Sequence, residues 1–301
     1  MRRPAGTGLL ALFWTAVAGM VFLAFPALAA ETGQPFDGQL GMQAPVTEVA
    51  REINYFHDFV NYIIIAITIF VLALMVYVMW RFSEGNNPTP SRTTHNTFIE
   101  VVWTVVPIII LVIIAIPSFK LLNLQYSYPK ADLTIKATGY QWYWAHAYPD
   151  HGDFEFETYM LDADGIAERE AQGIPAPRNL AVDNEVVVPV NKNVHVLVTA
   201  GDVLHNWTVP AFGSKVDSVP GRITATWFRA EKEGVFYGQC SELCGVNHAF
   251  MPIAVRVVSQ ERFDRWVTAM KDDDTDAAEA VIREAALEHA GRKQLAQTRN
   301  D

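Results

Sequence analysis

The sequence Tyr-Gly-Gln-Cys-Ser-Glu-Leu-Cys-Gly-Val-Asn-His-Ala-Phe-Met-Pro occupies residues 237–252 and contains both cysteines of the chain. Cys240 and Cys244 are followed at short intervals by His248 and Met251, in the pattern C-x3-C-x3-H-x2-M. Two thiolates, an imidazole and a thioether form a soft ligand set that favours copper. A disulfide bond between the two cysteines is the alternative interpretation in an extracytoplasmic protein. The rest of the chain helps to decide between a copper site and a disulfide bond.

The composition limits the classes of function. The chain has 301 residues, of which 50% are hydrophobic, and a formal net charge of −10. The negative charge argues against a nucleic-acid partner and suggests a basic protein partner, although an acidic surface also serves solubility alone. Two cysteines are too few for a disulfide framework. The hydrophobic residues are clustered along the chain, which favours membrane segments joined to a smaller domain.

Residues 1–29 have the features of a secretory signal peptide. Arg2 and Arg3 precede an uncharged apolar run, and an Ala-Leu-Ala cleavage site follows at residues 27–29. A retained transmembrane helix is the alternative interpretation. After cleavage, residues 30–58 would form a periplasmic N-terminal segment, and the low periodicity of its first part predicts a loop.

Two long apolar runs predict a transmembrane hairpin. The helices are predicted at residues 59–81 and 99–122, because each contains about nineteen uncharged residues, which span about 28 Å at about 1.5 Å per residue. Residues 82–98 between them are rich in Pro, Gly and Asn and are predicted as a cytoplasmic loop. Arg81 and Arg92 in this region agree with the positive-inside rule. The remainder of the chain would then lie outside the cytoplasm.

Residues 131–258 have a different pattern, with short β-rich runs separated by turn-forming residues. This pattern predicts an extracytoplasmic β-sandwich. The predicted strands include residues 133–138, 185–190, 194–199, 223–229 and 253–258. Residues 259–301 form a helical, acidic tail, predicted to be a surface helix or partly disordered, to which we assign no chemistry. The predicted fold class is a membrane-anchored all-β protein: a two-helix transmembrane hairpin, a cupredoxin-like Greek-key β-sandwich and a C-terminal helical tail.

A further metal ligand is expected from a distant strand end. Soft ligands on one loop, joined by a histidine from elsewhere, form the layout of a cupredoxin copper site. His205 fits best, because it follows a strand and precedes an aromatic residue and a proline. His146, His151 and His195 are alternatives. One thiolate suffices for a mononuclear site, whereas two allow both to bridge a pair of coppers.

Four sequence stretches together resemble one family. They are Gly-Tyr-Gln-Trp-Tyr-Trp at 139–144, Val-Leu-His-Asn-Trp at 203–207, Val-Pro-Gly-Arg at 219–222 and the segment at 237–252. Behind a signal peptide and a two-helix hairpin, they are similar to subunit II of cytochrome c oxidase. The resemblance implies a binuclear mixed-valence copper centre, CuA, on a cupredoxin domain in a bacterial periplasm. The ligands that it implies are His205, Cys240, the backbone carbonyl of Glu242, Cys244, His248 and Met251.

The same resemblance implies roles for further residues. The carboxylate of Glu242 would bind a magnesium ion shared with subunit I, unless it is simply an exposed loop residue. Trp142 would be the point where electrons enter from cytochrome c, with Tyr143 beside it, although aromatic residues more often pack in a core. Glu100 would lie at the entrance of a proton pathway, or would only cap a helix N-terminus. The acidic residues expected to dock cytochrome c are Asp153, Glu155, Asp183 and Asp202.

The resemblance implies an oxidoreductase subunit that takes electrons from reduced cytochrome c. Electrons would pass from the copper pair to haem in subunit I, where oxygen is reduced to water and protons are pumped. Subunit III and membrane lipid are further expected partners, in the bacterial inner membrane. The alternatives are a membrane-anchored copper carrier or assembly protein and a nitrous-oxide-reductase-like CuA domain. The hairpin and the lack of a propeller-like region disfavour the latter.

Overall fold

The structure is a computed structural model that describes residues 33–297, and the side chains of residues 33–291. The predicted signal peptide, residues 1–29, lies outside the described residues. Helices α1 (Glu48–Arg81) and α2 (Thr97–Tyr126) precede the β-strands. Both helices are long and apolar enough to cross a membrane.

Both membrane helices are longer than predicted. Helix α1 begins at Glu48 rather than near residue 59, because the hydroxyl of Thr47 accepts a hydrogen bond from the Ala50 amide at 3.0 Å and caps the helix. Val49 and Ala50 are buried. Hydropathy therefore located the apolar span, but capping and packing set the start of the helix. Residues 48–58 of the predicted N-terminal segment are helical for this reason.

Ten strands form the extracytoplasmic domain. Their bounds are β1 (Leu133–Tyr140), β2 (Tyr143–Tyr148), β3 (Phe154–Thr158), β4 (Val186–Pro189), β5 (Val194–Ala200), β6 (His205–Val209), β7 (Ser214–Ser218), β8 (Thr224–Phe228), β9 (Gly234–Gln239) and β10 (Pro252–Val258). One sheet has the order β3-β2-β1-β5-β8, a second has the order β4-β10-β9, and β6 pairs with β7. Alternate residues of β5 are buried, as the valine pattern predicted. The predicted β-sandwich is confirmed.

Three helices complete the domain. Helix α3 (Ala163–Ala171), which lies between β3 and β4, was not predicted. Helices α4 (Gln260–Lys271) and α5 (Thr275–Gln297) follow the last strand. The first part of α5 is packed rather than disordered, because Ala278, Val281, Ile282 and Ala285 form one buried apolar face. This part of α5 is therefore a helix packed on the domain surface, and the alternative of a partly disordered tail is wrong for it.

The β-domain is attached to the outer ends of both membrane helices. The Trp227 indole donates to the backbone carbonyl of Gln125 at 3.1 Å, and the Tyr128 hydroxyl donates to the carbonyl of Ala225 at 2.7 Å. At the start of α1, the Thr47 hydroxyl donates to the carbonyl of Phe212 at 2.8 Å. These contacts fix the domain relative to the hairpin.

Candidate metal centre

The antiparallel pairing of β9 with β10 builds the loop that carries the cysteines. Gln239 at the end of β9 lies opposite Pro252 at the start of β10, so the stems of the intervening loop are adjacent. Cys240 and Met251 are therefore held at the two ends of the loop by regular sheet structure. His205 is the first residue of β6 and approaches the loop from another part of the sandwich.

Six predicted donor groups converge at this loop. The Sγ atoms of Cys240 and Cys244 are 3.9 Å apart, and Cys240 Sγ is 3.9 Å from the Nδ1 atom of His205. Cys244 Sγ is 3.5 Å from His248 Nδ1 and 3.5 Å from Met251 Sδ. The remaining predicted donor, the carbonyl of Glu242, is 3.3 Å from Cys240 Sγ.

The donors fit a metal better than a disulfide. Both cysteines are free, and the distance between their sulfur atoms is far longer than the roughly 2.05 Å of a disulfide bond. His205, Cys240 and Cys244 are all buried, and their ligand atoms lie within 4.8 Å of one another. A buried cluster of sulfur and imidazole donors is a copper-favouring site.

The two thiols differ in acidity. Burial raises the pKa of Cys240, but hydrogen bonds with His205 and with backbone groups of Glu242 and Asn206 outweigh it and lower the pKa to about 7. Burial and the neighbouring Cys240 charge raise the pKa of Cys244 to about 12. Two adjacent thiolates repel each other and are therefore unfavourable unless a cation lies between them. A bound metal ion would supply that cation.

Asp202 holds His205 in place. Its Oδ1 atom accepts a hydrogen bond from His205 Nε2 at 2.9 Å, and its Oδ2 atom accepts from the Gln141 amide at 2.7 Å. Burial raises the pKa of Asp202, but the hydrogen bonds from His205 and two backbone amides lower it below its usual value. A carboxylate on one ring nitrogen directs the other nitrogen towards the metal. The sequence suggested only a docking role for this residue.

Further contacts hold Cys244 and Met251, and sequence reasoning missed them. The side-chain amide of Gln141 donates to the Cys244 carbonyl at 2.7 Å, and the Trp142 indole donates to the same oxygen at 3.3 Å. The Trp144 indole donates to the Met251 carbonyl at 3.2 Å. Gly245 has a φ of +125°, and a Cβ atom there would lie 3.0 Å from the Trp142 ring. Glycine therefore allows Trp142 to approach the loop.

The other aromatic and acidic residues of the prediction are exposed or half-buried. Tyr143 is stacked between Tyr140 and Tyr159, with ring centroids 5.0 and 4.8 Å away. Asp153 and Glu155 are exposed at the start of β3. Asp183 is also exposed, and its carboxylate accepts a hydrogen bond from the Tyr159 amide at 2.8 Å.

The alternative histidines lie elsewhere. His146 is buried beside Thr158, where burial lowers its pKa to about 3. His195 contacts the Pro129 carbonyl at 2.7 Å, and the His151 ring packs against Phe263. Among the residues that the structure describes, His205 is therefore the histidine that the β-sandwich brings to the cysteine loop.

Glu100 lies in the first turn of α2, at the end of the hairpin opposite the β-domain. Its carboxylate accepts a hydrogen bond from the Asn96 amide at 3.2 Å, and the Asn96 side chain accepts from the Ile99 amide. These contacts stabilise the helix N-terminus. They account for the position of Glu100 in the structure.

Two domain families, both of the same kind of protein, and several curated proteins match the chain. The family described as cytochrome c oxidase subunit II, periplasmic domain, matches residues 133–258, and its transmembrane domain matches residues 35–121. A probable cytochrome c oxidase subunit 2 of Rickettsia bellii is 50% identical over 236 residues, which cover 78% of this chain and 86% of the relative. The cytochrome c oxidase subunit 2 of Cereibacter sphaeroides is 49% identical over 247 residues, which cover 78% of this chain and 81% of the relative.

A solved structure is also similar. The crystal structure of the periplasmic domain of subunit II of cytochrome oxidase from Bradyrhizobium japonicum is 56% identical, with a TM-score of 0.44. The matched region covers 48% of this chain and 98% of the chain in the crystal structure. The curated relatives and the matching families confirm the predicted family, the membrane anchor with a periplasmic domain, and the role of electron-accepting subunit of an oxidase, and they imply a copper site. The chain therefore belongs to the cytochrome c oxidase subunit II family.

Proposed function

We propose that the chain receives electrons from reduced cytochrome c at a binuclear CuA centre and passes them to haem in oxidase subunit I. The observation that carries this proposal is the convergence of two buried thiols with His205, His248 and Met251. Cys240 and Cys244 would hold the copper, and a copper pair would supply a redox centre that changes geometry little when it accepts or gives up one electron. Oxygen reduction and proton pumping would then occur in the partner subunit.

Residues around the site would act by holding the metal-ligand atoms in fixed positions. Asp202 keeps the Nδ1 atom of His205 directed at the thiols, and Gln141 holds the backbone at Cys244. Burial of both cysteines excludes water from the sulfur atoms. A site that is fixed before the electron arrives requires little reorganisation, which is what a rapid electron relay needs.

Electron paramagnetic resonance of the full-length chain, loaded with copper in detergent, tests the binuclear centre. We expect seven hyperfine lines, because one unpaired electron would couple equally to two copper nuclei. Four lines and a readily exchanged copper would instead indicate the mononuclear site of a copper carrier. The full chain is preferable to the isolated domain because Thr47 and Trp227 join the domain to the membrane helices.

Trp142 is proposed as the point where electrons enter. Its indole is half-exposed and donates to the carbonyl of the proposed ligand Cys244, so it links the surface to the centre. We expect Trp142→Phe to slow electron transfer from reduced cytochrome c about tenfold or more, with little change in binding affinity. Stopped-flow kinetics on the whole oxidase measure both quantities. Tyr143→Phe, which keeps the ring stack, is the matched control; an equal effect in this variant would contradict a special role for Trp142.

The exposed acids Asp153, Glu155 and Asp183 are proposed to attract the basic surface of cytochrome c. We expect the association rate to fall as ionic strength rises, because salt screens charges beyond about 8 Å at physiological ionic strength. Asp153→Asn combined with Glu155→Gln should reduce this salt dependence, whereas Asp276→Asn on the C-terminal helix should not. An association rate that does not vary with salt in the wild type would exclude this docking surface. Asp202 is less suited to such a test because it also holds His205.

Two further roles follow from the family and are proposed here for Glu242 and Glu100. The exposed carboxylate of Glu242 is a hard ligand suited to magnesium at the junction with subunit I. Substitution of manganese for magnesium gives a paramagnetic probe, whose signal should weaken in Glu242→Gln.

Glu100 is proposed at the entrance of a proton pathway from the cytoplasmic side. Unchanged turnover and proton uptake in Glu100→Ala would exclude that role.

The proposed setting is the inner membrane of a bacterium, with the β-domain in the periplasm and subunits I and III and lipid around the hairpin. Helices α1 and α2 expose apolar side chains along most of their length, which suits contact with lipid and with other membrane helices. Co-purification of haem with the full-length chain tests this assembly.

A further inference from the structure

A cavity lies between helices α3, α4 and α5 and strand β3, which is an edge strand of the five-stranded sheet. Its volume is about 490 Å³, within the range of roughly 300–1,000 Å³ that small-molecule sites occupy. We call it the α3–α5 cavity. None of the residues that line it is a proposed copper ligand, so the cavity is separate from the metal centre.

Both helical walls of the cavity are held by polar contacts. The Asp162 carboxylate caps α3 by accepting a hydrogen bond from a first-turn amide at 2.9 Å. The Arg169 guanidinium donates to the Asp183 carbonyl at 2.6 Å and ties α3 to the segment that precedes β4. On the other side, the Arg265 guanidinium of α4 makes two hydrogen bonds to the Glu284 carboxylate of α5, at 3.0 and 3.3 Å. The cavity is therefore enclosed by helices that are fixed to the domain.

The floor of the cavity is apolar. Trp266 is 2% exposed, and its ring packs edge-on against Phe156 with the centroids 6.1 Å apart. Met270, from the next turn of α4, and Ile282, a buried residue of α5, continue this surface. Removing apolar surface from water is favourable. The floor therefore suits the hydrocarbon body of a ligand.

The polar part of the lining has an excess of negative charge. Four carboxylates and one guanidinium line the cavity: Glu168, Asp183, Glu185, Glu279 and Arg169. The Glu185 carboxylate is paired with Arg256 of β10 and is neutralised within the chain. Glu168 and Glu279 are exposed, and among the described side chains no cation forms an ion pair with either of them. The acids that face the cavity therefore outnumber the available cations.

Asp183 shows that this negative charge is not compensated inside the chain. Burial raises the pKa of its carboxyl more than the hydrogen bonds from the Tyr159 and Asn184 amides and the nearby Arg169 charge lower it. A cation in the cavity would stabilise the carboxylate, whereas an anionic ligand would be repelled. The charge therefore selects a cationic ligand, and the apolar floor selects one with a hydrocarbon body.

We propose that the α3–α5 cavity binds an organic amine, with its ammonium group facing Glu168 of α3 and Glu279 of α5 and its hydrocarbon body against Trp266 and Met270. The site is distinct from the proposed electron-transfer centre and does not require bound copper.

Isothermal titration calorimetry of the full-length chain in a nonionic detergent tests the site with hexylammonium chloride. Hexan-1-ol, which has the same hydrocarbon chain but no charge, is the matched ligand. We expect hexylammonium to bind at a single site. Hexan-1-ol should bind at least about tenfold more weakly, because the alcohol has no charge to pair with the two carboxylates.

The double variant Glu168→Gln with Glu279→Gln removes both negative charges and keeps the size of the side chains. We expect it to bind hexylammonium about tenfold more weakly and to bind hexan-1-ol as the wild type does. The matched control is Glu261→Gln, because Glu261 is an exposed acid of α4 that does not line the cavity. This control should bind hexylammonium with wild-type affinity.

Three results would overturn the inference: no saturable binding of hexylammonium at millimolar concentration, equal affinities of the wild type for hexylammonium and hexan-1-ol, or equal affinities of the wild type and the double variant for hexylammonium. An unchanged circular dichroism spectrum shows that each variant has folded. Photo-crosslinking is a second measurement that needs no variant. A diazirine-bearing hexylamine should form adducts with α3 and α5, and adducts only with detergent or with other surface acids would also overturn the inference.

Discussion

Cys244→Ser is expected to abolish the proposed paired copper centre and to lower electron transfer from cytochrome c by at least about 100-fold. The Cys244 sulfur lies 3.9 Å from Cys240 Sγ and 3.5 Å from both His248 Nδ1 and Met251 Sδ. Replacing it with a hydroxyl removes the sulfur atom that lies close to both His248 and Met251, and it removes one of the two proposed bridging thiolates. The hyperfine pattern should change from seven lines to four as one copper is lost.

The matched control is Ser241→Ala in the same loop. The Ser241 hydroxyl is exposed, and among the described residues its one hydrogen bond is to the backbone carbonyl of Gln239, at 3.3 Å. We expect this variant to keep the wild-type spectrum and turnover. A seven-line spectrum in Cys244→Ser would show that the second thiolate is not a bridge, and the proposed binuclear site would have to be abandoned.

The residues that sequence reasoning identified are those with a strong local signal. The cysteine loop has a distinctive ligand spacing, and the strands around it have alternating or continuous apolar runs, so both could be predicted. His205 was predicted because it stands at a strand end beside an aromatic residue. The structure brings it within 3.9 Å of Cys240, although the two are 35 positions apart.

The residues that support the ligands could not be predicted in the same way. Gln141 and Trp144 reach the backbone of Cys244 and Met251 from positions more than 100 residues earlier in the chain. Such hydrogen bonds depend on the packing of two sheets, which no local pattern encodes. Asp202 shows the same limit, because the family resemblance implied a docking role for it, whereas its contact with His205 could be found only from the fold. The buried face of α5 did have a local signal in its apolar spacing.

The second large effect is expected on stability, from the buried ion pair between strands β4 and β10. Arg256 is 2% exposed and Glu185, which immediately precedes β4, is 5% exposed. The Arg256 guanidinium makes two hydrogen bonds to the carboxylate, and Arg169 lies 3.5 Å from it. Glu185→Gln leaves two arginines without their shared counter-charge in the interior. We expect a loss of about 3–5 kcal/mol in the free energy of unfolding, measured by urea unfolding of the full chain in detergent.

The same ion pair predicts a pH dependence. Burial raises the pKa of Glu185, but the charges of Arg256 and Arg169 and the hydrogen bonds from Arg256 outweigh it and lower the pKa below its usual value of 4.5. Because the folded state has the lower pKa, the stabilisation is fully present above about pH 4.5 and is lost as pH falls through the lowered pKa. Glu185→Gln should remove this part of the acid sensitivity.

The double variant Glu185→Leu with Arg256→Met separates the cost of an unpaired charge from the value of the pair. Burying two charges is itself expensive, so apolar side chains of similar size can replace an ion pair at little net cost. We therefore expect the double variant to recover most of the stability that Glu185→Gln loses, because the remaining Arg169 is partly exposed and keeps its hydrogen bond to the Asp183 carbonyl. A double variant as unstable as Glu185→Gln would mean that the pair contributes stability directly. Recovery would mean that the pair chiefly neutralises Arg256, whose strand β10 begins immediately after the proposed ligand Met251.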